Sequence, residues 1–186
     1  MKNNIRSKTS AKVVSNSALK PKYSTIKTKC LHQNVVFKQW ADKKKWGAIH
    51  EAHYDWWAFP IDRPSSYGSA YQIGTEEFDH LSTDKEFIEA LRINSIIVCQ
   101  AWGWDLIKGE KIITKEKDQK WQDWPVRLYK MSMSLELFKQ DDLLRNAVKY
   151  GNELIKEKKY FTFRKNDLGE FFIERKHLCS NKKVEE

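Results

Sequence analysis

The chain has no acidic residue before Asp42, only 4 prolines and 7 glycines, and 3 widely separated cysteines in 186 residues. Each shortage excludes something. Cys30, Cys99 and Cys179 are odd in number and show no CxxC or Cys/His spacing, which argues against a disulfide framework or a zinc finger. A reducing, intracellular compartment is expected, the cytoplasm first. So little glycine and proline excludes collagen-like or low-complexity chains. No apolar run nears the roughly 18 residues of a membrane helix. The longest candidate is Ile96-Ile97-Val98. No apolar segment follows the basic start, so no secretory signal and no membrane association are expected. Phosphate-cradling, dinucleotide-binding, nucleophile-elbow and EF-hand motifs are missing as well. No cofactor and no complete catalytic site are expected.

What is present is charge, unevenly placed. The formal net charge is +9. Lys2, Arg6, Lys8, Lys12, Lys20, Lys22, Lys27, Lys29 and Lys38 precede the first acid, so the whole excess belongs to residues 1–41 and the remainder is formally neutral. A solvated tail, an arm touching nucleic-acid phosphates without sequence preference, and an organelle-targeting peptide are three readings of such a segment. Residues 1–33 are expected to be a basic, disordered tail, residues 34–158 a helical domain, and residues 159–186 a hairpin and C-terminal tail.

Periodicity supports a mainly α fold, a single-domain bundle of about five helices with a small C-terminal β-hairpin. Trp46, His50, His53 and Trp57 recur at spacings of four, three and four, which predicts one helix from Ala41 to Ala58. Thr75 is the expected N-cap of a short helix, and Thr83 that of a longer one through a capping box with Glu86. Gly103 is a natural left-handed stop for it. The Ile107–Ile112 stretch reads as a small hairpin or a turn. Pro125 suits the first turn of a helix whose stripe is Leu128, Met131, Leu135 and Phe138. Asp141-Asp142 opens the last helix, with Leu144, Ala147, Val148, Gly151 and Ile155 inward. Phe161–Phe163 and Phe171–Ile173 flank Asn166-Asp167-Leu168-Gly169, the pattern of a hairpin.

All 8 tryptophans lie between Trp40 and Trp124. Aromatics crowd nearly every side of the His50–Pro60 segment, so it must be covered by core or by a ligand. Adjacent Trp56 and Trp57 point about 100° apart on a helix, leaving one of them to reach a groove. His50 and His53 would share a face and want a third ligand to hold a metal, but they lack the HExxH spacing. Arg127 and Lys130, three apart, form either an anion clamp or partners for acids elsewhere.

Three stretches together carry a family resemblance. Tyr54-Asp55-Trp56-Trp57-Ala58-Phe59-Pro60 resembles the Tyr-x-x-Trp-Leu-Phe-Pro signature of the conserved N-terminal domain of the opioid growth factor receptor family. Ala101-Trp102-Gly103-Trp104-Asp105-Leu106, with Lys108-Gly109-Glu110, is similar to its Phe-Tyr-Gly-x-x-Leu segment and Thr-Gly-Glu turn. Val126–Leu135 is similar to its Arg-containing helix, and Ser134-Leu135-Glu136-Leu137-Phe138 echoes the bacterial DUF1810 family of unknown function. The chain departs from the pattern in the register of His53, in Trp56 and Ala58, and in Gln122-Asp123-Trp124-Pro125, where the family has Asn-His-Asn. The resemblance implies a mainly helical domain. It brings no catalytic residue and no cofactor, and its animal namesake is a peptide receptor.

The expected function is a non-enzymatic helical module that binds a protein or peptide. His50, His53, Tyr54, Trp56, Trp57, Arg63, Arg127 and Lys130 are the expected ligand-binding residues. Two alternatives stand beside it. One is nucleic-acid contact through the basic arm, and the other is an enzyme with a His/Asp/Trp pocket built on His50, His53 and Asp55.

Overall fold

The computed structural model describes residues 21–180, which fold mainly into helices. The long ones are α1 (Lys22–Asp42), α5 (Lys85–Ala101), α6 (Pro125–Leu137) and α7 (Asp141–Lys156). Four short ones accompany them: α2 (Trp46–Glu51), α3 (Asp55–Ala58), α4 (Thr75–Leu81) and α8 (Gly169–Glu174). The expected bundle of about five helices is thus one of eight among the described residues. Two small antiparallel hairpins complete it, β1 (Trp104–Asp105) with β2 (Glu110–Lys111), and β3 (Thr162–Phe163) with β4 (Asn166–Asp167). No helix among the described residues is long and apolar enough to cross a membrane.

Helix α1 corrects the expected tail boundary at residue 33. Ile26, Cys30, Gln33, Asn34 and Phe37 are buried at helical spacing, and α1 lies chiefly along α5. Two of these inward residues are polar, which is why the sequence shows no apolar stripe there. The Asn34 amide donates to Asn94 Oδ1 at 3.0 Å, so the buried polar atoms satisfy one another across the seam. Lys22 and Lys27, counted among the cations of the arm, pair with Glu77, Asp84 and Glu86.

The single helix expected over Ala41–Ala58 is corrected to the end of α1 followed by the two short helices α2 and α3. Lys44 adopts φ 54° after α1, and Ala52 is extended at ψ 150° after α2. The chain therefore turns twice where periodicity alone suggested continuity, and His50 and His53 no longer share a face.

The caps differ in detail from expectation. Gly74, not Thr75, caps α4, and its N–H is accepted by Glu77 at 2.8 Å. Asp84, not Thr83, caps α5, accepting from the Phe87 N–H at 3.0 Å, so the Thr83–Glu86 box does not form. A carboxylate at that position also holds Lys27, which a hydroxyl cannot. Gly103 ends the α5 turn at φ 79°, as expected.

At the C-terminal end a small hairpin is present, as expected, with Thr162 paired to Asp167 and Phe163 to Asn166. Its second arm is corrected: Asn166-Asp167, expected in the turn, forms strand β4, Arg164-Lys165 makes the turn, and Phe171–Ile173 enters α8 instead. Asp167 Oδ1 accepts from the Gly169 N–H at 2.8 Å and starts that helix. Phe172 is fully buried against Gly151 of α7, where a Cβ would lie 2.3 Å from its ring. The Asn152 amide donates to the Phe172 carbonyl at 2.8 Å and ties α8 to α7.

Candidate functional site

One cleft stands out among the described residues, with a volume of ≈ 900 Å³. Its first wall is α3 and the loop that follows, with Asp55, Trp56, Arg63 and Ser66. Its floor is the N-terminal half of α6, with Trp124, Arg127, Tyr129 and Lys130. Its third side is the β3–β4 hairpin and α8, with Phe163, Arg164, Glu170, Phe171 and Arg175. Of the expected site residues, His53, Trp56, Arg63, Arg127 and Lys130 line this cleft. His50, Tyr54 and Trp57 do not.

Pro125 begins α6 at the position where a missing N–H costs nothing, and this sets the register of the floor. Leu128, Met131 and Leu135 then face the core, which turns Arg127 and Lys130 along the flank toward α2 and α3. Lys130 Nζ donates to Asp55 Oδ2 at 2.9 Å and lies 5.4 Å from the Trp56 ring centroid. Both members of this ion pair are buried. Burial pushes the Lys130 ammonium below the ordinary lysine range, and Asp55 partly offsets that.

Arg127 finds no acid among the described residues. Its Nη1 donates to the His50 carbonyl and its Nη2 to the Ala52 carbonyl, each at 2.8 Å. The guanidinium lies 4.8 Å from the ring centroids of both Tyr54 and Trp124. It caps the C-terminal end of α2, whose last carbonyls have no partner within the helix. The expected choice between anion clamp and acid partner is therefore divided. Lys130 has its acid, and Arg127 holds backbone.

The remaining expected residues have ordinary structural surroundings. Tyr54 is fully buried, edge-on to Phe37 at 4.8 Å, and its phenol is pushed up by burial. Trp57 Nε1 donates to Gln33 at 3.1 Å, with Lys29 over its ring. Trp56 Nε1 donates to Ser66 at 3.1 Å, and His53 stacks on the Trp56 ring at the cleft edge. Arg63 is exposed and donates to the Tyr129 hydroxyl at 3.0 Å.

His50 is buried, with Nε2 2.8 Å from the Asp118 carbonyl, so Nε2 carries the proton and donates. Burial, reinforced by Arg127 nearby, holds its pKa below the usual histidine value, against the raising effect of that hydrogen bond. The folded protein thus binds fewer protons here than the unfolded chain. Stability from this group is complete above about pH 6.5 and is lost as the pH falls toward the depressed folded value. Urea unfolding between pH 7 and pH 5 is expected to show this loss, and His50→Gln is expected to flatten it.

Among the described residues, no acid–base or nucleophilic set is assembled. His50, His53 and Asp55 are separated in role, each with a different neighbour. Burial pushes the Cys30 thiol up to about 12 and the Cys99 thiol well above its ordinary value. No three His, Cys, Asp or Glu side chains among the described residues are grouped to hold a metal ion.

Sequence reasoning missed Trp124 at the head of α6 and the hairpin side of the cleft. Trp124 is 41% exposed and Phe163 36% exposed, both at its rim. Trp124 had a signal, since three residues before Arg127 at a helix start it falls against that side chain. Arg164 had none, because only the folding of the hairpin brings it round. Of the basic arm, Lys2, Arg6, Lys8, Lys12 and Lys20 lie outside the described residues. No protein-family model matches the chain, and no curated protein or solved structure matches it significantly, so this site is read from its own geometry.

Proposed function

We propose that the protein is a non-enzymatic binding module whose cleft takes a segment of a protein or peptide partner. The observation that carries this reading is the convergence of Trp56, Arg63, Trp124 and Lys130 on one open cleft. Trp124 is exposed and Trp56 half-buried, and tryptophan beside arginine is the residue combination that dominates binding energy at protein interfaces. A volume of ≈ 900 Å³ accommodates two or three side chains of a peptide. The enzymatic alternative has less support. The cleft's histidine, His53, is exposed and has no hydrogen-bonded partner to orient it among the described residues. The resemblance to the opioid growth factor receptor family agrees with a peptide ligand, and it enters this reading as a proposal of relationship.

The test is selection of binding peptides from a random phage-displayed library on the full chain. The selected peptides are expected to lose about tenfold or more in affinity on Trp56→Ala or Trp124→Ala, a loss of roughly 1.4 kcal/mol or more. They are expected to keep their affinity on Lys139→Ala, outside the cleft. Peptides that bind the tryptophan variants as well as the parent would overturn the reading.

A further inference from the structure

The cleft floor holds more buried positive than buried negative charge. Arg127 is 2% exposed and Lys130 6% exposed, and Asp55 is the one carboxylate buried beside them among the described residues. Asp55 already accepts from Lys130. Among the described residues, Arg127 has only carbonyl oxygens and ring faces, which carry partial charge. One positive charge is therefore in excess in a place where water screens poorly, and such a charge attracts an anion more strongly than a surface cation does.

The donors around this floor are not used up. An ammonium has three N–H groups, and Lys130 commits one to Asp55. Arg63 is steered toward α6 by a neutral group, the Tyr129 hydroxyl, while Asp62 lies 3.9 Å from its Nε. Its guanidinium thus keeps most of its fork for a planar oxyanion. The acids lining the cleft on the hairpin and α8 side are all exposed. Two of them are occupied locally, Asp167 by the Gly169 N–H and Glu174 by Arg175 at 3.5 Å.

Resting on the peptide-binding reading, we infer that this floor is an oxyanion subsite. A carboxylate or phosphoryl group of the bound segment sits between Lys130 and Arg63, and an aromatic or apolar neighbour of that group packs on Trp56 and Trp124. The oxyanion answers the floor's excess charge, and the tryptophans cover its apolar neighbour. This makes acidic or phosphorylated side chains next to an aromatic residue the preferred ligand chemistry.

Three small probes separate the terms: phenyl phosphate, phenylacetate and neutral benzyl alcohol. Each is titrated at constant ionic strength into the full chain, with the indole N–H signals of Trp56 and Trp124 followed by NMR. At least one anion is expected to bind about tenfold tighter than benzyl alcohol, and the tighter of the two anions identifies the phosphoryl or the carboxylate source. Arg63→Gln is expected to weaken the anions by about tenfold and to leave benzyl alcohol unchanged. Arg63 is exposed, so this variant keeps the fold. Equal binding of neutral and anionic probes, or anion binding that ignores Arg63→Gln, overturns the subsite and leaves the cleft reading standing. Silence of both indoles with all three probes overturns the two together.

Discussion

Arg127→Met is expected to destabilise the fold by about 3 kcal/mol, although it removes a buried charge. Two opposing effects decide the sign. Taking a guanidinium out of water costs several kcal/mol, and methionine, of similar length, relieves that cost. Against this stand two charge-assisted hydrogen bonds of 2.8 Å, each contributing on the order of 1.5–3 kcal/mol. The contacts with Tyr54 and Trp124 add about 0.5–2 kcal/mol each. The loss is larger still because methionine leaves two carbonyls at the end of α2 with no donor. Guanidinium is weakly hydrated for a cation, which keeps its desolvation cost at the low end. Arg127→Lys is expected to fall between, since one ammonium does not span both carbonyls in the same geometry. Urea unfolding of the three proteins measures this. A methionine variant as stable as the parent would mean that the desolvation cost cancels the bonds, and that Arg127 is held in place by something other than stability.

The same residue shows how far the sequence could be read. Arg127 and Lys130 were legible as a pair because a helix of known register carried them, fixed by Pro125 and by Leu128, Met131 and Leu135. Their opposite fates were not legible. One met Asp55 from α3 and the other met the carbonyls of His50 and Ala52, and only the break between α2 and α3 places those groups there. That break gives no local signal, since the residue that leaves the helix there is Ala52, a good helix former held extended at ψ 150°. Helix α1 was hidden for a different reason. Its inward face includes Gln33 and Asn34, and a polar pair satisfied across a seam looks, in sequence, like solvated surface. The terminal hairpin was legible in its presence but not in its position, since Asn166-Asp167 pairs as a strand and Arg164-Lys165 makes the turn. Phe171 and Phe172 form a helix because both rings find buried neighbours on adjacent sides, whereas a strand would turn one outward. Half of the cleft was visible as aromatic and cationic residues near Tyr54. The other half needed tertiary structure to bring Arg164 and Phe163 to the same opening.

Asp55→Asn is expected to be the more damaging change, costing about 3–5 kcal/mol, because it leaves the Lys130 ammonium buried without its carboxylate. The asparagine keeps the shape and one acceptor oxygen, so the loss reads the charge rather than a cavity. Lys130→Met is expected to cost a similar amount by stranding Asp55. The double variant, with neither charge, is expected to cost clearly less than the sum of the two, by about 2 kcal/mol or more of coupling. The pH dependence of Asp55→Asn gives an independent check. Lys130 already sits below its ordinary pKa through burial, and Asp55 supplies the effects that oppose this. Without Asp55 the folded-state value falls further. A lysine whose folded pKa is depressed binds its proton less well folded than unfolded, so deprotonation favours the folded state. The variant is therefore expected to recover stability as the pH rises from 7 toward the lysine value of about 10.4 in the unfolded chain, with a steeper slope than the parent. Urea unfolding at intervals across that range decides it. A variant that loses less than about 1 kcal/mol and shows no added slope would mean that water reaches Lys130 freely, and the low-dielectric floor assigned to the cleft would have to be given up.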